Sequence, residues 1–271
     1  MVSSHCKSDS TSRHTPWLDA PATLTELLAD QSLNFDELLV TQIHRLLLDL
    51  IVSLKLRPGQ LVSEKEVAEA LQASKTPVRE ALIRLEDNGL VNIVPKSGSY
   101  VTPIRISAYI EGCFTRLQLE SGAVRRAALR NDDEASLQRL DMIVEQQSEA
   151  LMLEDHVRFF SLDQALHSAF FDMAGVAGVW HVLGRTQADV NRIRHLKRIG
   201  KIRRGPQVLH EHKRIVDEIR CGDADGAEQA LVTHIGSLEK EIEQLAAHPE
   251  LLAFIEQQDP GTTGKRTIAR H

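Results

Sequence analysis

The chain has 271 residues, which at about 150 residues per domain suggests two domains. Apolar residues make up 42% and charged residues 26%, a balance that excludes a disordered or fibrous chain. With 32 Lys and Arg against 38 Asp and Glu, the formal net charge is −6; a wholly basic protein is excluded, and any nucleic-acid surface must be a local patch.

Residues 1–33 are rich in Ser, Thr, Asp and Pro, and are expected to form a flexible N-terminal extension with a short helix near Leu24 to Leu28. From Asn34 the texture changes. Leu39, Ile43, Leu46, Leu47, Leu50, Ile51 and Leu54 recur at three and four, one buried helical face, and Pro58-Gly59 ends it. Ser63-Glu64-Lys65-Glu66 is a capping-box pattern that opens a second helix. After a turn at Gln72-Ala73, a third helix begins between Ser74 and Pro77, with Thr76 as a candidate cap. Its inner positions are Val78, Ala81, Leu82 and Leu85, and Gly89 supplies the stop. Leu90 to Val94 reads as a strand, Pro95 to Ser99 as a loop and Tyr100 to Thr102 as the returning strand. Residues 34–103 form one unit, with 104–108 as a short linker. Residues 109–257 have helical periodicity throughout, broken near 131–133, 154–155, 174–175, 200, 205–206 and 221–223, which predicts an all-α bundle of six or seven helices. Residues 258–271, with Pro260, Gly261 and Gly264, read as a frayed tail. The expected fold class is mostly α, a winged helix-turn-helix followed by a helical bundle.

The few aromatic residues, 4% of the chain, agree with packed helices rather than a large sheet. Cys6, Cys113 and Cys221 are widely spaced and odd in number, which implies no disulfide framework. Apolar runs are broken by charge far short of the ~20 residues that span a bilayer. These features predict a cytoplasmic protein with no membrane partner.

Helix, short turn, helix and hairpin is the layout of a DNA reader. With its inner positions committed to the core, the third helix leaves Lys75, Thr76, Arg79 and Arg84 on its start and outer face. A helix start offers N–H groups to a phosphate, and arginine can read guanine with two parallel bonds. Lys96 and Gly98 at the hairpin tip would approach the backbone or minor groove. The plainer alternative is a three-helix packing unit with a solvated charged face. Residues 56–103, and above all Ser74-Lys75-Thr76-Pro77-Val78-Arg79-Glu80-Ala81-Leu82 with Arg84-Leu85-Glu86 and Gly89-Leu90-Val91, resemble the GntR family of bacterial transcription regulators. The resemblance implies operator contacts by Lys65, Ser74, Lys75, Thr76 and Arg79, with Gly98 as the wing glycine. Two positions depart from the family pattern: Lys75 stands where arginine is usual, and Gln72 where glycine often supports the turn.

Asp163 and His167 are four apart on one helical face, and His212 and His234 lie on two later helices. Gathered inside a bundle, one carboxylate and three imidazoles would bind a divalent metal with open positions left over. His210 cannot share a helix face with His212, so only one of them can join. The pattern Asp163…His167, Glu211-His212, Gly222-Asp223 and His234 resembles the FCD ligand-binding domain of the FadR subfamily. That resemblance implies zinc, with nickel or manganese as alternatives, helping to hold the carboxylate of a small organic acid. It also implies Arg116 as a partner for that carboxylate; the plainer reading of Arg116 is a surface ion pair with Glu120 at i+4. Asn191 and Arg194, on a middle helix, are further candidates to line the cavity.

Together these features predict a homodimeric repressor, not an enzyme, that reads an inverted-repeat operator on double-stranded DNA and answers to a small carboxylate effector. A metal-dependent hydrolase built on the Asp/His cluster is the alternative from another class, and a purely structural metal is a third reading.

Overall fold

Residues 22–184, 186–199, 205–236 and 238–257 are those that the computed structural model describes. The expected extension up to residue 21, the tail from 258 and the break at Gly200 lie outside them. Helix α1 (Leu24–Leu28) opens on a reciprocal capping box: Thr23 Oγ1 accepts from the Glu26 N–H at 3.3 Å, and the Glu26 carboxylate accepts from the Thr23 N–H at 2.8 Å. Leu24 and Leu28 are buried in the core of the next three helices, so this stretch of the expected extension is docked rather than free.

Helix α2 (Leu39–Val52) buries Ile43, Leu47, Leu50 and Ile51. Helix α3 (Glu64–Ala70) is capped by Ser63, which accepts from the Glu66 N–H at 3.3 Å. Gln72, between α3 and α4, takes the left-handed conformation (φ +53°) that a glycine would adopt more readily. Helix α4 (Lys75–Asp87) starts at Ser74, which has the cap backbone but makes no side-chain cap bond; Thr76 lies inside the first turn, not at the cap expected for it. Pro77 fits there as the third helical residue, whose N–H has no intrahelical partner. Val78, Ala81, Leu82 and Leu85 are wholly buried. The helix ends with Gly89 at φ +69°, its N–H bonded to the Glu86 carbonyl and that of Leu90 to the Leu85 carbonyl, a Schellman arrangement.

Strands β1 (Val91–Val94) and β2 (Gly98–Val101) pair antiparallel, with Val91 opposite Val101 and Val94 opposite Gly98. A short third strip runs alongside: Leu61 bridges Tyr100, and the Val62 N–H donates to the Ser99 carbonyl at 2.7 Å. Gly98 has φ +142°, and a Cβ there would sit 2.6 Å from Leu61 Cδ1, so the wing tip requires glycine.

The bundle comprises α5 (Ile106–Ala128), α6 (Glu134–Met152), α7 (His156–Met173), α8 (Gly178–Gly184), α9 (Ala188–Ile199), α10 (Gly205–Cys221), α11 (Ala224–Ile235), α12 (Leu238–Ala246) and α13 (Pro249–Gln257). That is nine helices among the described residues where six or seven are expected from sequence. Two periodic stretches are each subdivided, one at the turn between Gly184 and Ala188, the other at Gly236 (φ +88°) and at His248-Pro249. Helix α5 is the axis, packed on α7, α9, α10 and α11. A Cβ on Gly112 of α5 would lie 2.6 Å from the Thr186 carbonyl oxygen and 2.5 Å from Val190 Cγ2, so the bare α5 backbone there makes room for the turn before α9 and for the Val190 side chain.

The expected linker is no free strand of chain. Ile104 is buried, α5 begins at Ile106, and Ile104 and Tyr109 share an apolar cluster with Leu54, Val190, Ile193 and Leu196. That cluster joins the two halves.

Candidate functional site

On the winged unit, Lys65, Lys75, Arg79, Lys96 and Gly98 line one groove between α4 and the hairpin, together with Glu64. Ser74, Lys75, Thr76, Arg79 and Lys96 are exposed. The start of α4 and the wing thus present cations and free N–H groups on one side of an acidic molecule, with the apolar residues of α4 turned inward. Lys65 is drawn towards Glu69 at 3.7 Å. Arg79 is held in a two-bond fork by Glu64, Nε to Oε1 at 3.1 Å and Nη2 to Oε2 at 3.2 Å, a partner that sequence spacing did not indicate because it comes from the preceding helix.

The second site lies in the bundle. Asp163 and His167 project from α7, His212 from α10 and His234 from the last turn of α11, and all four are buried. One ligand atom from each lies within 4.8 Å of all the others. His234 Nε2 stands 3.3 Å from both His167 Nε2 and His212 Nε2, and His212 Nε2 is 3.6 Å from Asp163 Oδ1. Each imidazole is oriented through its other nitrogen: His167 Nδ1 donates to Glu120 at 2.5 Å, His212 Nδ1 to Gln147 Oε1 at 2.8 Å and His234 Nδ1 to Glu211 at 2.9 Å. These acceptors assign the protons to Nδ1, which leaves three Nε2 lone pairs facing one another. A single shared proton would relieve one such contact, whereas His234 makes two. Such a donor set suits a cation: ligand atoms about 3.3 Å apart are what a tetrahedral ion with metal–nitrogen bonds of about 2.0–2.1 Å requires.

Burial alone would push the Asp163 carboxyl up, but Arg194, His167 and His212 around it hold it below the usual carboxylate range. Arg194 donates to Asp163 Oδ1 at 2.7 Å. Arg116 makes the i,i+4 pair with Glu120 at 2.7 Å, yet that pair is wholly buried, not at the surface as its plainer reading had it. Against burial, which would raise it, the Arg116 guanidinium and the His167 ring hold the Glu120 carboxyl at about 2. Arg116 and Arg194 both line a cavity beside the cluster, together with Val190 and Lys197 on the Arg194 face of α9. Asn191 is not among the lining residues; its Oδ1 is buried without a hydrogen-bond partner among the described residues. Gln147, Glu120 and Glu211 as orienting acceptors, and Lys197 and Tyr109 as lining groups, were not singled out from sequence as site residues.

Next to Arg194 on α9, Arg192 points the other way. It is wholly buried and donates to the Thr102 carbonyl at 2.6 Å, the Pro103 carbonyl at 3.2 Å and Asp189 at 2.5 Å. The end of the wing is therefore fastened to the helix whose opposite face lines the cavity.

Comparison with known proteins gives two family matches, to the bacterial regulatory proteins of the gntR family over residues 39–101 and to the FCD domain over residues 113–237. An uncharacterised HTH-type transcriptional regulator in an unstable DNA locus of Streptomyces ambofaciens is 32% identical, over 78% of this chain and 88% of its own length. The HTH-type transcriptional repressor RspR of Escherichia coli K12 is 30% identical, over 81% and 95%. Among solved structures, E. coli McbR/YncC has a TM-score of 0.64 at 19% identity, covering 81% of this chain and 98% of its own, and so shows a shared fold. Among the described residues no helix is long and apolar enough to cross a membrane.

Proposed function

The chain belongs to the GntR family of DNA-binding transcriptional regulators, with an FCD ligand-binding domain, and from that premise we propose a homodimeric repressor released from its operator by a small carboxylate. The observation that carries the sensor half is the meeting of three Nε2 lone pairs and one carboxylate, each imidazole oriented from behind by an acceptor. Asp163, His167, His212 and His234 would hold a divalent ion, zinc by the fit of the donor set. Such an ion supplies a Lewis-acidic anchor for an anion. Arg194 offers a second one: its Nη2 is spent on Asp163, while its Nη1 is buried with no acceptor among the described residues. Arg116 orients the cluster through Glu120 and lines the same cavity.

In the reader, Arg79 would take a guanine edge while Lys65, Ser74, Lys75, Thr76 and Lys96 take phosphates and Gly98 lets the wing approach the duplex. Two such heads on a twofold axis would meet successive major grooves of an inverted repeat. Coupling runs through α9, whose cavity face carries Arg194 and whose opposite face carries the Arg192 bonds to Thr102 and Pro103. An acid that prefers one setting of α9 then changes operator affinity by its difference in affinity for the two settings, and roughly 1–3 kcal/mol gives a 5–150-fold response. The test is metal analysis of the purified protein, followed by thermal shift with small carboxylic acids. One bound divalent ion per chain and acid-dependent stabilisation are expected; metal-free protein that ignores every acid would overturn the reading.

A further inference from the structure

Among the residues lining the groove between α4 and the hairpin, Lys65, Lys75, Arg79 and Lys96 face a single acid, Glu64. A carboxylate on a surface that receives a polyanion repels the phosphates it meets. Resting on the reading of Arg79 as the residue that meets a base, we infer that Glu64 is a specificity-determining residue, which withholds Arg79 from phosphates and presents it to a guanine. Glu64 opens α3 and Arg79 lies on α4, yet the Nε and Nη2 of Arg79 donate to the two oxygens of Glu64 at 3.1 and 3.2 Å. The Glu64 side chain is 27% exposed and that of Arg79 68%, so the acid lies deeper and the guanidinium towards solvent. The other cations of the groove are not held in this way. Lys65 stands 3.7 Å from Glu69, and Lys75 and Lys96 have no acidic partner among the described residues.

A guanidinium carries its N–H groups in a rigid planar fork. Glu64 takes the side edge, formed by the Nε hydrogen and one Nη2 hydrogen. What remains is the end edge, where one hydrogen of Nη1 and the second of Nη2 run parallel, the arrangement that meets guanine O6 and N7 together. The fork also fixes the plane of the group before the duplex arrives, so less side-chain freedom is lost on binding. An arginine without this restraint would swing to the nearest phosphate and add affinity on every sequence alike. Paired with Glu64 it brings little net charge to such a contact, and the lysines are left to grip the backbone. Glu64 thus lowers affinity for any duplex and raises discrimination among duplexes, since binding that does not satisfy the Arg79 end edge is held back by the carboxylate.

Fluorescence anisotropy with the purified full chain tests this, on a duplex that wild type selects from a random pool, on its single base-pair variants and on random-sequence duplex, between about 50 and 200 mM salt. Glu64→Gln, similar in shape but uncharged, is expected to bind random duplex at least about threefold tighter at low salt. Its slope of log affinity against log salt should steepen by about 1, the mark of one added phosphate contact. Its preference for the base pair read by Arg79 is expected to fall at least about fivefold. On an Arg79→Ala background the same change should alter that preference less than about twofold, because Glu64 acts through Arg79. Wild-type preference and slope in Glu64→Gln, beside an Arg79→Ala variant that has lost the preference, would overturn the inference and leave Arg79 as a base reader. A further loss of preference when Glu64→Gln is added to Arg79→Ala would also overturn it, since Glu64 would then act without Arg79. Undiminished preference in Arg79→Ala would overturn both.

Discussion

Gln147→Leu separates what the cluster needs for metal from what the bundle needs to fold. Gln147 is wholly buried on α6, at an inner position beside Ile143 and Ala150, and its Oε1 accepts from His212 Nδ1 at 2.8 Å. Leucine has similar size but no acceptor, so the imidazole N–H is left unsatisfied at a cost of about 1–3 kcal/mol. The Gln147 Nε2 is itself buried without a partner among the described residues, and deleting it returns a similar amount. Stability without metal should therefore change by less than about 1 kcal/mol. Metal affinity should not be spared. Without its acceptor, His212 can move its proton to Nε2 and cease to be a ligand, and loss of such an orienting partner typically weakens binding 10–100-fold. Urea unfolding at a fixed free zinc concentration reads this directly. If zinc at about 1,000 times its dissociation constant stabilises wild type by about 4.1 kcal/mol, the variant should gain only about 1.4–2.7 kcal/mol. An equal zinc-dependent gain in both proteins would refute the reasoning.

Arg79→Ala should weaken binding to a selected operator by about 1–3 kcal/mol and relax preference at one base pair, read by fluorescence anisotropy; stability should hardly change, since the pair with Glu64 is exposed and screened by water. Arg192→Lys keeps a charge beside Asp189 but not the planar fork that grips Thr102 and Pro103. It should leave acid binding by calorimetry intact while cutting the effect of acid on operator affinity at least fivefold, about 1 kcal/mol of coupling. Burial, reinforced by Arg84, holds the His44 imidazole below its ordinary 6.5, so its stabilising effect is present above pH 6.5 and lost as pH falls from there towards the folded value. Unfolding at pH 7.5 and 5.5 should show a larger acid loss for wild type than for His44→Phe.

The reader was open to sequence reasoning because α2 and α4 carry strong three-four periodicity and α4 a glycine stop, and the four candidate ligand positions because their residue types are rare in cores. What escaped was set by contacts distant in sequence. The docking of α1 was signalled only by Thr23 and Glu26, a capping box set in a polar stretch. The strip at Leu61 exists only through its pairing with β2. The Glu64 grip on Arg79 spans two helices, and the Arg192 grip on the wing joins residues some ninety positions apart. Gln147 and Arg192 did leave a trace: each is a polar side chain at a position where helical periodicity calls for an apolar one. A polar residue on an inner face must find a partner, and here those partners are a candidate ligand and the junction between the halves.

The most direct test compares operator affinity of the zinc-loaded protein and of His212→Ala, each with and without a saturating concentration of a small carboxylic acid that stabilises wild type in the thermal-shift screen, on a duplex selected by wild type from a random pool. The cluster-and-α9 account predicts a 5–150-fold loss of affinity in wild type and no response in a variant that still binds the duplex. Wild type indifferent to the acid, or a variant as responsive as wild type, would contradict it.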